Sequence, residues 1–445
     1  MNKIKKIIMS LIVGIIIMIT MLLILLLRNR NTLSENNMDN NLIENVSNND
    51  LIELKSVEDE TKFYTVRDCI KKYLDFTNTK NSFYYGYNQE GKYTKVTDQK
   101  QINEHIYNLL GTRFIEKNNI NLSNLHEKID IIDQNVIFTP LYMKFFKNQD
   151  IEEYAVYGII EDVNCNYIKD INMIVNLDIK NNTFSIEPVK NATMDLSKVE
   201  LNNEKYEIVE NSDNKFKIKT IDEEDIIKEY FDSYKKIILG KPELSYQYLD
   251  EEYRNKRFSN INKYKEFSDK NINTIKSANI SKYAITKYDN FVEYACVDQY
   301  ENYYIFKVKN VMDYTLKLDT YTILSDKFKT EYNSGNAQKR VQLNIDKFVK
   351  MINSKDYNNL YNLLDEEFRN NKFKSVDNFE KFIKNNFYEY NKVTFNKFSN
   401  EGEIYIYEIT LKNKLDKNDT SEKNVNIIMK LLDNYNFVMS FGSTT

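Results

Sequence analysis

The sequence contains few of the residues on which metal sites depend. Its 445 residues include only 2 His, 3 Cys and 9 Gly, with 3 Pro and no Trp. The two histidines, His105 and His126, are far apart in the sequence, and neither has a cysteine near it. Because a zinc site needs three or four converging ligands, the sequence predicts no metal site.

Motifs that depend on clustered glycine are also missing from the sequence. The closest pair of glycines, Gly86 and Gly91, is not followed by the Lys-Ser/Thr pair that completes a phosphate-binding loop. No Gly-x-Ser-x-Gly segment is present to expose a nucleophilic serine on a sharp turn. We therefore predict no cofactor and no catalytic residue, and we interpret the protein as something other than an enzyme.

Three cysteines, Cys69, Cys165 and Cys296, are widely spaced and odd in number. A disulfide framework requires an even and denser set. At most Cys69 and Cys165 could pair, and the simpler interpretation is that the thiols are free and buried.

Charge is nearly balanced, with 62 Lys and Arg against 66 Asp and Glu. Such a chain has no net positive field to attract the phosphate backbone of a nucleic acid, so nucleic acid is not an expected partner. Aromatic residues are abundant, with 34 Tyr and 25 Phe. They either fill cores and sheets or, where exposed, anchor protein contacts, in which Tyr is enriched.

The one long hydrophobic run lies at the N-terminus. Residues 7–27 carry no charge, and at about 1.5 Å per helical residue they would cover roughly 30 Å, the thickness of the hydrocarbon core of a bilayer. A cleavable signal peptide is the alternative, but its apolar region is usually about 7 to 15 residues and ends at a small-residue site. We predict an uncleaved transmembrane helix at 7–27, preceded by a short basic tail at 1–6.

The flanks of this run indicate its orientation. Three lysines precede it, whereas Arg28 and Arg30 follow it, so the positive-inside rule favours a cytoplasmic N-terminus by a small margin. Residues 28–60 have no aromatic, Gly or Pro and are rich in Asn, Asp, Glu and Ser, which is typical of a flexible polar stalk. We predict a single-pass protein of the cell membrane with most of the chain outside the cytoplasm.

An internal repeat follows the stalk. Residues 248–258, Tyr-Leu-Asp-Glu-Glu-Tyr-Arg-Asn-Lys-Arg-Phe, match residues 363–373, Leu-Leu-Asp-Glu-Glu-Phe-Arg-Asn-Asn-Lys-Phe, at an offset of 115. The same offset places Asn260 on Ser375, and both are good N-cap residues for a following helix. A fainter third copy begins at 107–110, Tyr-Asn-Leu-Leu, with an insertion at about 83–96 between its helices.

Strands follow the helices in each copy. In the last copy Tyr405, Tyr407, Ile409 and Leu411 alternate with more polar residues, which is the period of a half-buried antiparallel strand. Helices followed by strands in about 110 residues predict the α+β class, with helices packed on one face of a curved antiparallel sheet. The predicted boundaries are module 1 at 61–190, a connecting hairpin or linker at 191–220, module 2 at 221–325, a linker at 326–338 and module 3 at 339–445.

This order of elements resembles the NTF2-like superfamily of cone-shaped α+β domains. An N-terminal anchor followed by tandem units of this kind is similar to surface-exposed assembly components of conjugative type IV secretion machines. It is also similar to the teicoplanin-resistance-associated membrane proteins of Gram-positive bacteria, although residues 1–27 lack the zinc-ribbon cysteines of that family. The resemblance covers residues 61–445, implies the fold and transfers no functional residue.

Repeated carboxylates are the strongest candidates for chemistry. Residues 250–252 and 365–367 are both Asp-Glu-Glu, a set that could serve acid–base catalysis or calcium binding. Placed on a short helix, they are more simply a solvated face paired partly with Arg254 and Arg369. Some NTF2-like relatives use an interior Asp as a general base, a role that Asp298 or Glu408 would fill only by pointing inward.

Three functions remain compatible with these observations. The first is a membrane-anchored extracytoplasmic scaffold or interaction protein that binds protein partners or self-associates, of the kind found in an envelope or conjugative assembly. The second is a module that binds a small ligand or a cell-wall component in an NTF2-like cone pocket. The third is an isomerase or dehydratase that uses a buried carboxylate in the same cone.

Overall fold

Helices followed by strands recur three times along the chain in the computed structural model. It describes residues 55–56, 60–77, 83–87, 93–96, 99–130, 132, 134–148, 151–189, 208–311, 313–416 and 418–443. All of these residues belong to one compact unit. No helix in these ranges is both long enough and apolar enough to cross a membrane. The predicted tail, the transmembrane helix at 7–27 and most of the predicted stalk lie outside the described residues.

The first module is the most elaborate. Its elements are β1 (Lys55–Ser56), α1 (Glu60–Thr77), β2 (Phe83–Tyr87), β3 (Tyr93–Val96), α2 (Gln99–Leu109), α3 (Thr112–Asn118), α4 (Leu125–Lys128), β4 (Val136–Asn148), β5 (Ile151–Asp162), β6 (Tyr167–Asp178) and β7 (Thr183–Val189). The main sheet has the order β1-β4-β5-β6-β7. Strands β2 and β3 pair with each other, so the insertion predicted between the first helices is a β-hairpin.

The second and third modules share a simpler plan of four helices and four strands. The second consists of α5 (Glu223–Gly240), α6 (Pro242–Tyr248), α7 (Glu251–Arg257), α8 (Ile261–Ser277), β8 (Ile280–Lys287), β9 (Val292–Asp298), β10 (Tyr303–Asn310) and β11 (Asp313–Lys317). After α9 (Asp326–Ser334), the third consists of α10 (Ala337–Asn353), α11 (Tyr357–Asn362), α12 (Glu366–Lys372), α13 (Val376–Asn386), β12 (Asn391–Glu401), β13 (Ile404–Asn413), β14 (Glu422–Leu431) and β15 (Phe437–Ser443). Both sheets are antiparallel meanders.

One backbone contact marks the same point in every module. In each module a leucine just before the third helix (α3, α7 or α12) forms an isolated parallel bridge with the last strand. The residue after this leucine donates its N–H to that strand. The bridges are Leu110 with Ile186, Leu249 with Leu316, and Leu364 with Met439. The N–H···O distances, from Gly111, Asp250 and Asp365, are 3.2, 3.0 and 2.8 Å. The three modules therefore repeat one arrangement. The leucine that the three copies of the sequence repeat share makes the bridge in each of them.

Each module has its own apolar core between its helices and the inner face of its sheet. In the third module Phe348 of α10 packs in one cluster with Tyr407, Ile409 and Leu411 of β13, all of them buried. The alternation predicted for this strand is therefore confirmed. Burial of each such side chain stabilises the fold by about 1.5 to 3 kcal/mol.

The structure corrects several details of the predicted elements. In the connecting hairpin or linker predicted at 191–220, residues 216–219 form no strand; this segment runs beside the start of β7, where Phe216 N–H donates to the Asn182 carbonyl. The segment 326–338, predicted as a linker, contains helix α9, which Ser325 caps. Strands β8 and β12 were not predicted, because both are edge strands with mainly exposed side chains and little apolar alternation.

Helix starts are capped as the repeat predicts. The side chains of Asn260 and Ser375 accept hydrogen bonds from the N–H groups of Lys263 and Asn378, which confirms both as N-caps. In the same way Asp365 accepts from the N–H of Phe368 at the start of α12, as Asp250 does in the second module.

Replacement of the Asp365 cap should destabilise the third module measurably. Asp365→Ala leaves a helical N–H without its acceptor, and we expect the free energy of unfolding to fall by about 1 kcal/mol. Urea denaturation followed by circular dichroism measures this change. The matched control is Glu366→Ala, one residue later and exposed, which should change stability by less than half as much; equal effects would contradict the capping role.

Candidate interface between the second and third modules

The junction between the second and third modules is organised around Arg257, the last residue of α7. Its side chain is only 8% exposed. The guanidinium Nη1 lies 2.7 Å from Oδ1 of Asp356, in the turn between α10 and α11. Its Nε lies 3.5 Å from Oδ2 of Asp319, which follows β11. One arginine thus joins a carboxylate of its own module to a carboxylate of the next.

Both carboxylates have further partners. Asp319 accepts hydrogen bonds from Tyr253 OH at 2.8 Å, from the N–H groups of Tyr321 and Thr322, and from the Thr322 hydroxyl. Asp356 accepts from the amide of Asn359 at 3.1 Å. A buried ion pair is tolerated only when such bonds satisfy the remaining lone pairs, so the local turns make this cluster possible.

Burial and attraction oppose each other at this cluster. Burial alone would lower the pKa of Arg257, but attraction to Asp356 and the other acidic groups outweighs it and raises that pKa. Burial raises the pKa of Asp356 even though Arg257 opposes the shift. Lys347 of α10 lies nearby, and burial lowers its pKa. The arginine therefore stays charged, and its removal would leave two acids in a site unsuited to their charge.

Other contacts across the junction surround Arg257. Lys270 of α8 lies 3.4 Å from Glu380 of α13, and Lys414 pairs with Glu301. The ring of Tyr300, in the β9–β10 turn, stacks on that of Tyr390 with the centroids 5.8 Å apart. The contact therefore extends from the helices to the ends of both sheets.

A groove of about 600 Å³ lies beside this junction. Helix α8 forms one wall, α11 and α13 form the other, and Arg257 and Asp356 lie among the lining residues. Its charges are of both signs and mostly paired, as with Lys263 and Glu266 at 3.0 Å. The groove therefore has no single electrostatic preference for a ligand.

The junction between the first and second modules uses the same repeat position. Lys241, between α5 and α6, is 115 residues before Asp356 and lies in the equivalent turn. Its ammonium group is 2.5 Å from Asp170 of β6 and 4.1 Å from the ring centroid of Tyr167. Arg67 of α1 also pairs with Glu229 of α5 at 2.5 Å. In both junctions the turn after the first long helix contacts the preceding module.

Glu161, near the end of β5, is a buried carboxylate in the first of these junctions. It is 0% exposed, and a Cβ placed on Gly240 would lie 2.0 Å from its Oε1, so a larger residue at 240 would force the Glu161 carboxylate to move. Thr139 OH approaches its Oε2 at 3.5 Å. Burial raises the pKa of Glu161 to about 8, although Lys236 opposes the shift.

The repeated Asp-Glu-Glu segments have structural roles in the described chain. Asp250 and Asp365 are N-caps, whereas the glutamates after them are exposed, as predicted for a solvated face. The predicted pairing with arginine is wrong in the second module, because Glu252 pairs with Lys256, at 2.5 Å, one helical turn away. Arg254 and Arg369 instead lie over the rings of Tyr246 and Tyr361, with 5.5 and 5.4 Å to the centroids.

The two candidate general bases lie in different surroundings. Asp298 is buried and accepts from the N–H groups of Tyr300 and Asn302, from the Asn302 amide and from Tyr304 OH, so it organises the β9–β10 turn. Burial raises its pKa, and these hydrogen bonds oppose the shift. Glu408 is half-exposed and alternates with the core residues of β13, so it lies on the outer face of the sheet.

The histidines and cysteines are not brought together. His105 Nδ1 lies 2.9 Å from Asp213, and His126 Nε2 lies 2.7 Å from Asn103. All three cysteines are free, with Cys69 and Cys296 buried and Cys165 half-buried. Within the described residues no group of three or more His, Cys, Asp or Glu side chains is placed to hold a metal ion.

Comparison with known proteins returned no match from the family models, the curated proteins or the solved structures.

Removal of Arg257 should destabilise the junction strongly. Arg257→Ala leaves Asp319 and Asp356 buried without their cation, and loss of one partner from such a pair costs about 3 to 5 kcal/mol. We expect this loss in the free energy of unfolding of the second and third modules, measured by urea denaturation. The control is Arg254→Ala on the same helix, whose contact with Tyr246 contributes about 0.5 to 1 kcal/mol. Similar losses in both variants would contradict the role of Arg257.

The first junction should weaken as the pH rises. Native Glu161 keeps its proton up to about pH 8, whereas an unfolded Glu releases it near pH 4.3. Between these values the native state binds more protons, so the free energy of unfolding falls as pH rises and levels off above about pH 8. Glu161→Gln should remove this slope and be more stable than the natural protein at pH 9. Glu401→Gln, at an exposed position, is the control; an unchanged slope in Glu161→Gln would refute the assignment.

Proposed function

We propose that this chain is a membrane-anchored extracytoplasmic scaffold, an interaction protein of an envelope or conjugative assembly. Its anchor would be the helix predicted at 7–27, and its soluble part a row of three NTF2-like modules. The observation that carries the proposal is the buried cluster of Arg257, Asp319 and Asp356, which ties one module to the next.

A fixed spacing between modules is what a scaffold requires. Domains of one chain ordinarily move relative to one another unless their interface is large and hydrophobic. Here the ion pair of Arg257 and Asp356 crosses the junction, and its hydrogen-bonded partners on both sides specify which surfaces of the two modules meet. A row held in this way presents its outer surfaces to partners at constant distances.

The surroundings of four buried carboxylates favour a role other than catalysis. Asp298 organises a turn, Asp319 and Asp356 hold Arg257, and Glu187 accepts from Arg113 at 2.8 Å. A general base needs a carboxylate within hydrogen-bond reach of a substrate. These acids are instead directed at groups of the protein.

Ligand binding in a cone is the alternative, and the first module favours it most. A space of only about 30 Å³ lies where Tyr234, Tyr253 and Tyr304 of the second module meet Asn353 and Ser354 of the third. In the first module a groove of about 310 Å³ opens between α1 and the sheet, with Tyr73, Asp130 and Lys169 in its lining. Ligand sites usually measure about 300 to 1,000 Å³, so of these two spaces the groove of the first module has a suitable size.

Cross-linking at the surface of intact cells tests the proposal. The full chain in its native membrane is treated with a membrane-impermeant lysine cross-linker and then recovered under denaturing conditions. We expect discrete species larger than the monomer, since the described modules carry many exposed lysines. A variant that lacks residues 7–27 should leave the membrane fraction and lose these species.

Two outcomes would contradict the proposal separately. Recovery of monomer alone, while a known surface complex is captured in the same cells, would contradict the scaffold role. Reaction of the lysines only after cell lysis would contradict the placement outside the cytoplasm.

A further inference from the structure

The repeat forms the same cation–aromatic contact in the second and third modules. We call this contact a seat: a basic side chain at the end of a short helix, close to phenylalanine rings. In the second, the guanidinium carbon of Arg257 lies 4.9 and 5.8 Å from the ring centroids of Phe258 and Phe267. In the third, the ammonium of Lys372 lies 5.9 and 5.0 Å from those of Phe373 and Phe382. Each residue of the second set is 115 positions after its counterpart. Both seats place a cation at the end of a short helix and near the same two phenylalanine positions, and Lys372 also lies 5.3 and 5.9 Å from the ring centroids of Phe368 and Phe441.

The two seats differ in what covers them. Arg257 is 8% exposed because the α10–α11 turn lies over it and places Asp356 2.7 Å away. Lys372 is exposed and lines a shallow depression together with Asp365, Glu367, Phe368 and Asn371. Among the described residues no carboxylate lies within ion-pair distance of Lys372.

The third-module seat also lacks a counterpart of Asp319. Asp319 lies three residues after the bridging Leu316, and the position three residues after the bridging Met439 is Gly442. A side chain added at Gly442 would meet nothing within 4 Å. The seat of Arg257 therefore supplies one acid itself and receives one from the next module, whereas Lys372 is exposed and shares its depression with Asp365, which caps α12, and with Glu367.

We infer that the Lys372 seat, formed by Lys372 at the end of α12 and the rings of Phe373 and Phe382, docks a partner protein that presents a carboxylate on a turn between two helices. The reason is the arrangement at Arg257, where Asp356 lies on such a turn and accepts a hydrogen bond from the Asn359 amide at 3.1 Å. An incoming carboxylate would neutralise Lys372, and exclusion of water would strengthen the contact of the ammonium with the rings.

The inference rests on the proposed scaffold function and names one surface through which the scaffold would act. A second copy of this chain is the less suitable occupant, because its own Asp356 already pairs with its own Arg257. The surface thus continues the row of modules with a different protein.

A peptide that copies the natural occupant of the filled seat tests the surface. The probe is a fluorescein-labelled synthetic peptide of residues 337–363, which contains α10, the turn with Asp356 and α11. Its fluorescence anisotropy is measured against the full chain in nanodiscs. We expect saturable binding that falls at least tenfold with Lys372→Glu in the chain or with Asp356→Asn in the peptide. Lys372→Arg should retain binding, and Lys381→Glu, an exposed lysine on the neighbouring α13, is the matched control.

A second measurement tests the same surface without relying on the folding of an isolated peptide. An additional copy of residues 326–445 is fused after the C-terminus of the full chain, so that its α10–α11 turn can reach the seat. Docking should slow amide hydrogen exchange at residues 371–373 at least tenfold, and Asp356→Asn in the added copy should reverse this. The inference is overturned if neither the peptide nor the added copy engages Lys372, or if binding is indifferent to Lys372→Glu.

Self-association provides the remaining outcome. A dimer of the unmodified chain in sedimentation that Lys372→Glu abolishes would replace the partner protein with a second copy and overturn this assignment. Failure of the seat does not remove the scaffold proposal, because the surface cross-linking of the full chain is scored independently of Lys372.

Discussion

The arrangement of this protein depends on a single desolvated guanidinium group. Arg257 is withdrawn from water at the boundary of two modules, where an uncompensated charge would be prohibitive. Compensation comes from both sides of the boundary, Asp319 in the same module and Asp356 in the next. Each acid is in turn held by a short turn of the backbone, so the positions of the modules and the local turn geometry depend on each other.

The two junctions use one repeat position with opposite charges. The turn after the first long helix carries Lys241 in the second module and Asp356 in the third, and each meets an opposite charge, Asp170 or Arg257. Exchanged turns would bring like charges together, Lys241 against Arg257 and Asp356 against Asp170. Specificity of this kind comes from repulsion in the wrong pairing as much as from attraction in the right one. The charges at the two boundaries therefore favour the observed order of the modules.

The buried acids of the two junctions are stabilised in different ways. At the second boundary the acids accept hydrogen bonds from residues of their own turns and pair with Arg257. The ion pair therefore keeps its charge and has a defined direction. At the first, Glu161 lies against Gly240 with one weak hydroxyl contact, and burial favours its neutral form. The first boundary thus combines the ion pairs of Lys241 and Arg67 with a close approach of Gly240 to Glu161, whereas the second depends on the buried ion pair of Arg257.

Much of the local structure was predictable because its causes are local. Helical spacing, the caps Asn260 and Ser375 and the alternation in β13 act within a few residues, and all three are confirmed. The offset of 115 also identified equivalent elements, and the insertion at 83–96 proved to be a hairpin. Strands β8 and β12 escaped prediction because their side chains face water at sheet edges and carry little pattern.

By itself the sequence determined the α+β class, the order of helices and strands and the repetition of the unit, since periodicity and capping are written into neighbouring residues. Only the tertiary structure decided which repeated charges are buried. Arg257 and Lys372 end nearly identical helices above equivalent phenylalanine pairs, yet one is covered and the other exposed. The reason is physical: whether a charge loses its water depends on a carboxylate about a hundred residues away, and nothing in the local pattern specifies that contact.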